Sequence, residues 1–283
     1  MTADPIWKGT ALDAETALAL LEWQREMGAD EAILDAPLDR YGEGLRDPVP
    51  ADAPLAPAAA VPAASPSAPS LPDLEGLATR AAGMAARAAT LAELAEIQSG
   101  FEGLEIRRGA RNFVFADGNP AARVMIVGEA PGEEEDRQGR PFVGRAGQLL
   151  DQMFAAIGLA RAAVDAEAAL YITNILPWRP PGNRRPEQAE IDAMLPFVQR
   201  HVELAAPDLV VLMGNTPCQA ALGRQGILRL RGQWTTAFGR PALPMTHPAY
   251  LLRTPIAKRE AWADLLSLKA RLQAPVYQAG AQP

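Results

Sequence analysis

The chain has 283 residues, enough for one large domain or two small ones. A single cysteine and two histidines exclude a disulfide framework and a cysteine-ligated metal site, and they argue against structural zinc. No apolar run approaches the roughly 18 residues that span a bilayer, and the first residues lack the basic start and apolar stretch of a secretory signal. We therefore expect a soluble cytoplasmic protein with no membrane partner.

The net charge of −7 is unevenly distributed along the chain. Residues 1–89 carry 14 acids and 6 bases, whereas residues 90–283 carry 20 acids and 21 bases, so the acidity belongs to the N-terminal part. Residues 90–283 contain three clusters of arginines, which are suited to contacts with phosphates. Solvated surface arginines in an arginine-rich chain would give the same pattern. The clusters are Arg179, Arg184 and Arg185; Arg224, Arg229 and Arg231; and the neighbourhood of Arg253.

The first 73 residues predict an arm and a linker rather than a packed domain. Within the arm, residues 1–47, leucines and Trp23 recur at near-helical spacing over residues 13–27 and predict one amphipathic helix. This helix either docks on a protein partner or has no role of its own. Residues 48–73 are rich in proline and alanine with little apolar bulk, so we expect a disordered, semi-extended linker.

Residues 74–283 predict an α/β domain. Leucine spacing makes residues 74–98 helical, and helices are also expected over residues 144–158, 187–205, 216–223 and 257–272. Short apolar β-prone runs occupy residues 122–127, 169–175 and 207–213, and a further strand ends at Met245. Alternation of strands and helices predicts a three-layer sandwich with a central, mostly parallel four-stranded sheet flanked by helices.

In such sheets ligands bind beyond the carboxyl ends of the strands, so three loops are informative. The first loop follows Val127 and contains GEAPG and then GRPFVG. The second follows Ile175, within the segment TNILPWRPPGNRRP, and the third follows Met245 and reads THPAYLLR. The first loop holds five carboxylates within residues 129–136, which argues against a phosphate cradle because like charges repel.

Taken singly, the polar residues of these loops have ordinary explanations. Glu129 would cap a turn, Asn174 would end a strand and His247 would sit in a loop. Together they supply a carboxylate that orients water, amides that read a planar polar edge, an exposed aromatic platform at Phe142 and a histidine that steadies an anion. That set suits cleavage of a bond to a flat heterocycle, such as a base flipped out of DNA.

The motifs GEAPG…ED…GRPFVGRAG, YITN…RPPGNRRP and HPAYLLR resemble the family-four uracil-DNA glycosylases of bacteria and archaea, over roughly residues 90–271. The resemblance implies the uracil-DNA glycosylase fold and a monofunctional enzyme of base excision repair. Such an enzyme flips uracil out of DNA and hydrolyses its N-glycosidic bond, leaving an abasic site. We expect a monomer whose partner is uracil-containing DNA.

The resemblance also implies three catalytic residues. Glu129 would orient or activate water, or stabilise the sugar cation. Asn183 would lie near the flipped nucleotide or its phosphate, and His247 would donate to the uracil oxygen that gathers negative charge.

Further residues are implied to bind the base and the DNA. Phe142 would stack on uracil, Asn174 would bond its edge and reject cytosine, and Glu135 would support water or loop geometry in the pocket. The backbone of Gly128 and Ala130 would line the same pocket. The implied DNA contacts are Arg184, Pro248, Tyr250 and Arg253.

One departure from the family is large. Members usually hold a four-iron–four-sulfur cluster on four cysteines, but this chain has only Cys218, which we expect to be a small buried residue. The aligned ligand positions are all apolar: Phe101, Leu104, Trp178 and Met194. We expect no cluster and no other metal or cofactor, with a hydrophobic plug filling the volume.

Two other classes of function compete with the enzyme. One is a catalytically weak DNA-damage binding module, tethered to a repair or replication partner through the N-terminal helix. The other is an unrelated nucleotide-binding protein, disfavoured because no G-x-G-x-x-G or Walker loop follows a strand. A related subgroup links covalently to DNA through a histidine in an inserted basic loop, and GRPFVGRAG runs on without that insert.

Overall fold

The computed structural model describes residues 6–7, 10–11 and 72–274. Strands β1 (Ile6–Trp7) and β2 (Thr10–Ala11) form an antiparallel pair, with Ile6 opposite Ala11. The predicted helix over residues 13–27 and residues 48–71 of the predicted linker lie outside the described residues.

Residues 72–274 contain helices, strands and two short 3₁₀ turns in alternation. The helices are α1 (Pro72–Ala85), α2 (Leu91–Ser99), α3 (Ile106–Gly109), α4 (Glu133–Gln138), α5 (Arg145–Ala155), α6 (Gln188–Ala205), α7 (Asn215–Leu222), α8 (Ile227–Leu230), α9 (Pro248–Arg253) and α10 (Lys258–Gln273). The strands are β3 (Ala116–Gly118), β4 (Val124–Gly128), β5 (Leu170–Asn174), β6 (Leu209–Met213), β7 (Thr235–Ala237) and β8 (Arg240–Met245). The 3₁₀ turns are Pro181–Asn183 and Pro255–Ala257.

The sheet of this region has six strands in the order β3-β5-β4-β6-β8-β7. The inner four are parallel, and the outer two, β3 and β7, pair antiparallel with their neighbours. The prediction of four strands was therefore wrong in number, although the parallel centre is confirmed. Both edge strands are three residues long and carry no apolar run, so periodicity does not reveal them.

Helices cover both faces of the sheet. Alternate residues of the fully buried strand β4 enter different cores: Met125 and Val127 join one, and Val124 and Ile126 join the other. Burial on both faces explains why β4 and β6 read as continuous apolar runs rather than as alternating ones.

The helical prediction over residues 74–98 was too long, because two helices occupy that stretch. Thr90 caps α2 by accepting from the Glu93 amide (3.2 Å), while the Glu93 carboxylate accepts from the Ala89 amide (2.7 Å). Threonine with glutamate three residues on is a helix-start signal, and here it separates α1 from α2. Within residues 72–274, no helix has the length and apolarity needed to cross a bilayer.

Candidate active site

The end of strand β4 is too crowded for any residue but glycine. A Cβ on Gly128 would lie 2.3 Å from Asn174 Oδ1 and 2.5 Å from the Phe142 ring. Gly128 is also the register partner of Asn174 across the β4–β5 pair. The glycine thus allows an amide side chain and an aromatic ring to meet at one strand end, as the loop argument predicted.

Asn174 carries the most informative polar atom of the site. Its side chain is 5% exposed, and its Oδ1 is the one buried side-chain oxygen or nitrogen in the described chain without a hydrogen-bond partner. Leaving such an atom unpaired costs roughly 1–3 kcal/mol, so native structures rarely retain one without a ligand to satisfy it. The atom marks a place where a donor is missing.

Phe142 lies on the other side of Gly128. Its backbone is left-handed (φ 52°), and its ring centroid is 5.5 Å from that of His247, with the planes inclined by 30°. The side chain is 6% exposed, so the expectation of an exposed aromatic platform was wrong. The ring packs inward because Gly128 leaves room for its edge and His247 covers part of it.

Glu135 holds the loop that carries Phe142. Its Oε1 accepts from the amides of Val143 and Gly144 (both 2.8 Å), and its Oε2 accepts from the Gly132 amide (3.1 Å). Both carboxylate oxygens are therefore bonded to loop backbone. This matches the expected support of loop geometry, while contact with substrate stays a prediction.

Arg161, which sequence reasoning missed, holds the same loop from the other side. Its guanidinium donates to the carbonyls of Pro141 (2.9 Å) and Phe142 (2.8 Å) and pairs with Asp117 (2.9 Å) and Asp151 (2.8 Å). The side chain is only 11% exposed. Nothing in the local sequence around this arginine signals the contact, which depends on the chain folding back by about twenty residues.

His247 ends the third loop as the cap of α9. Its Nδ1 accepts from the Ala249 amide (3.1 Å), so the proton of the neutral ring is on Nε2, which is left as a donor. Burial, helped by the nearby Arg253 cation and opposed by Glu135, lowers the pKa of His247 to about 4. The imidazole is therefore neutral near pH 7.

Glu129 follows Gly128 and is half-buried. Its backbone carbonyl accepts from the Leu176 amide (3.0 Å), and its Oε2 accepts a hydrogen bond from the Thr216 hydroxyl, a second contact that sequence reasoning missed. The carboxylate thus sits at the same sheet edge as Asn174 and His247.

The sequence of this region matches a known family. Residues 115–266 match the model of the uracil DNA glycosylase superfamily, a stretch that includes every predicted site residue. The chain belongs to the uracil DNA glycosylase superfamily.

Three relatives in the superfamily carry the name type-4 uracil-DNA glycosylase. That of Sulfurisphaera tokodaii is 39% identical over 154 residues, which cover 51% of this chain and 67% of the relative. That of Thermotoga maritima is 40% identical over 147 residues, 50% of this chain and 72% of the relative. That of Archaeoglobus fulgidus is 35% identical over 169 residues, 56% of this chain and 82% of the relative.

Two of the predicted site residues stand apart from the contacts described above. Asn183 is exposed, with a left-handed backbone, and its Oδ1 accepts from Arg179 Nε (2.7 Å). Arg184 forms a two-pronged ion pair with Glu190 (2.6 and 2.9 Å). Its charge is therefore largely compensated within the protein, and the roles of both residues stay predictions.

Helix α9 presents the predicted DNA-contacting segment. Pro248 is buried, Tyr250 is half-buried and Arg253 is exposed, so Arg253 is the most accessible of the three to a phosphate. The following 3₁₀ turn places Ile256 82% exposed, an apolar side chain that the sequence analysis did not single out. Ala130, predicted to line the pocket through its backbone, is half-buried beside Glu129.

The other histidine of the domain, His201, packs in the protein core and not among the residues of the candidate site. His201 is buried, lies 2.9 Å from the Tyr171 hydroxyl and stacks on Phe115 with ring centroids 4.3 Å apart. Burial lowers the pKa of His201 to about 3, so the ring is neutral. Cys218 is fully buried, as expected, and burial raises the pKa of its thiol to about 12.

We expect Arg161→Met to weaken both the fold and the site. The change removes two charge-assisted hydrogen bonds to the Phe142 loop and one partner of Asp117, so unfolding should become easier by about 2–3 kcal/mol. Uracil excision per folded molecule should fall by roughly tenfold or more, because small misplacements of positioning groups are costly. Urea unfolding and single-turnover excision measure the two effects.

Arg123→Met is the matched control for that experiment. Arg123 also bridges two carboxylates, those of Asp208 and Glu167 (both 2.6 Å). It immediately precedes strand β4, so it lies at the end of the parallel strands opposite to the site. It should lower stability without lowering excision by folded protein. Equal loss of excision in both variants would refute a specific role for Arg161.

Proposed function

We propose that the protein is a uracil-DNA glycosylase of the type-4 group, acting in DNA repair. It hydrolyses the bond between uracil N1 and the sugar C1′ and leaves an abasic site. The observation that carries the proposal is the unpartnered, buried Oδ1 of Asn174, set beside Phe142 and His247. Superfamily membership and three relatives of that name support it.

The pocket complements uracil in its hydrogen-bonding pattern. Uracil offers an N3–H donor next to the O4 acceptor, and the Asn174 amide supplies an acceptor next to a donor. Cytosine reverses this pattern, with an acceptor at N3 and an amino donor at C4. The amide therefore selects uracil, because the wrong base would leave buried polar groups unpaired.

Charge development explains the other groups. As the glycosidic bond breaks, its electron pair moves onto the uracil ring, and the sugar becomes cationic. The neutral His247 donates from Nε2 to the uracil oxygen that gains charge, which is the stabilisation expected of a preorganised donor. The Glu129 carboxylate stabilises the sugar cation and orients the water whose oxygen bonds to C1′.

Reaching this pocket requires the base to leave the duplex, so we propose base flipping, with Arg253 on the backbone. A protein partner bound through residues 13–27, a monomeric state and a cytoplasmic location stay predictions. No contact in the described residues favours the damage-binding module, which becomes an outcome of the assay below.

The decisive assay is excision of uracil from an end-labelled oligonucleotide, followed by alkaline cleavage. We expect many uracils released per protein, and none from the same strand with thymine in place of uracil. Stoichiometric retention of the strand without release would instead establish the damage-binding module and refute the enzyme.

We also propose that this chain has replaced the family's iron–sulfur cluster with a hydrophobic plug. The four aligned positions do not fit a cluster, because thiolate ligands are absent and the residues are between 0 and 7% exposed within one apolar core. The Phe101 ring packs on Phe197 (5.4 Å between centroids), and Trp178 packs on Phe113 (5.6 Å). Among residues 72–274, no three metal-binding side chains are grouped to hold an ion.

The plug predicts a cost for emptying it. Met194→Ala should lower the free energy of unfolding by about 2–5 kcal/mol, as other large-to-small core changes do. The purified wild type should be colourless and free of iron and acid-labile sulfide. Leu266→Ala, at a position 46% exposed, is the control and should change stability by less than about 0.5 kcal/mol. A brown protein with stoichiometric iron would contradict the plug.

A further inference from the structure

The turn that starts α7 contacts both His247 and Glu129, the two side chains that stabilise the developing charges in the proposed mechanism. Gly214 has a left-handed backbone (φ 106°), and a Cβ there would lie 3.3 Å from the His247 Cβ. Two residues later, the Thr216 hydroxyl donates to Glu129 Oε2. One short turn therefore packs on the histidine and bonds to the carboxylate.

The two oxygens of Glu129 differ because of this contact. Oε2 is held by Thr216, whereas no group of the described chain bonds to Oε1. A carboxylate with one oxygen fixed and the other free has a defined rotamer and one lone-pair direction to offer. Without the hydroxyl, the side chain of a half-buried glutamate keeps several rotamers, and the free oxygen has no fixed direction.

The turn itself is anchored independently of Thr216. The Gly214 amide donates to the Met245 carbonyl (2.9 Å), and Asn215 Oδ1 accepts from the amides of Gly226 and Ile227 (3.1 and 2.9 Å). The position of the hydroxyl is therefore set by β6, β8 and the α7–α8 loop, not by Glu129. The hydroxyl acts as a fixed point toward which the carboxylate is drawn.

We propose that Thr216 is a positioning residue that orients the Glu129 carboxylate toward the water and the sugar. The proposal rests on the proposed glycosylase function and adds to it a residue that acts through Glu129 without touching substrate. Its removal should therefore lower the rate of bond cleavage and leave substrate binding nearly unchanged.

The test compares Thr216→Val, which keeps the shape and removes the donor, with Thr216→Ser, which keeps the donor. Single-turnover excision by T216V should be about 10- to 100-fold slower than by wild type, as expected for the loss of a hydrogen bond to a charged group. The KM from steady-state excision should stay within roughly twofold of the wild-type value. T216S should recover most of the rate. T90V, which removes the α2 cap instead, should keep the wild-type rate per folded molecule.

A third comparison asks whether the effect passes through Glu129. In a Glu129→Ala background, T216V should cause no further loss, because the carboxylate to which the hydroxyl donates among residues 72–274 is gone. A wild-type rate for T216V, an equal loss in T216S, a loss confined to KM, or full additivity with E129A would each overturn the positioning role alone. Absence of excision by the wild-type protein would overturn the proposed function and this proposal with it.

Discussion

Asn174→Ala should lower uracil excision by at least about two orders of magnitude and leave the protein as stable as wild type, or slightly more stable. The loss of rate follows from removing the group that pairs with the uracil edge while charge develops on the base. The unchanged stability follows from the unpartnered Oδ1, since deleting a buried unsatisfied atom removes its desolvation cost. Single-turnover excision and urea unfolding give the two numbers.

A control separates the site from a general effect of losing an asparagine. Asn119→Ala removes a side chain that bonds to the Val164 carbonyl (2.9 Å) and accepts from the Ala121 amide (2.9 Å). It follows β3 and lies at the opposite end of the parallel strands from Asn174, where its backbone amide donates to the carbonyl of Leu170, the first residue of β5. We expect N119A to be somewhat less stable than wild type and to excise uracil at the wild-type rate. A near-wild-type rate for N174A would contradict the assigned role.

Much of the fold could be predicted because the inner strands are buried on both faces. Strands β4 and β6 are unbroken apolar runs in sequence, and such runs between helices predict a parallel sheet. The antiparallel edges escaped because β3 and β7 are short and lack that pattern. Their pairing is decided by the neighbouring strands β5 and β8, which is information that a local window does not contain.

The site was predictable as far as strand order determines it. Since parallel strands end on the same side of the sheet, residues at or just after the ends of β4, β5 and β8 had to meet there, and Gly128, Asn174 and His247 do. Thr216 belongs to the same logic, because α7 follows β6 at the same edge; the rule would have found it had that fourth loop been included. Arg161 obeys no such rule, because it reaches the site from beyond α5.

Burial was the least predictable property of the site. A Pro-Phe-Val run in a glycine-rich loop suggested an exposed ring, yet Phe142 is inside. Its position depends on two glycines at once: Gly128 admits the ring edge, and Gly147 lies against the Phe142 carbonyl, where a Cβ would be 1.9 Å away. Such mutual fitting is a tertiary property, so composition of the loop alone cannot reveal it.

His247→Ala should also lower excision by about two orders of magnitude or more, since it removes the Nε2 donor to the uracil oxygen. The same change removes the cap of α9, which costs about 1 kcal/mol of stability. His247→Asn separates the two effects. The asparagine oxygen can still accept from the Ala249 amide and cap the helix, but the shorter side chain brings no donor to the Nε2 position.

We therefore expect H247N to be more stable than H247A and equally slow. Recovery of the rate in H247N would show that His247 acts only as a helix cap. Thermal unfolding of the three proteins establishes the order of stability, and single-turnover excision establishes the order of rates.

The pH dependence gives an independent check on the neutral imidazole. Because burial, with the Arg253 cation, lowers the pKa of His247 to about 4, the ring stays neutral from pH 8 down to about 5.5. The ratio of wild-type to H247N excision should then be constant over that range, with no step near the ordinary histidine pKa of about 6.5.

The same pKa bears on stability. An unfolded chain would bind protons at His247 below about pH 6.5 and the folded one would not, so the contribution of His247 to the free energy of unfolding is present above that pH and is lost as pH falls through about 4. A ratio that changes through pH 6.5 would mean that the folded protein leaves His247 free to titrate normally, and the imidazole would then enter the reaction charged.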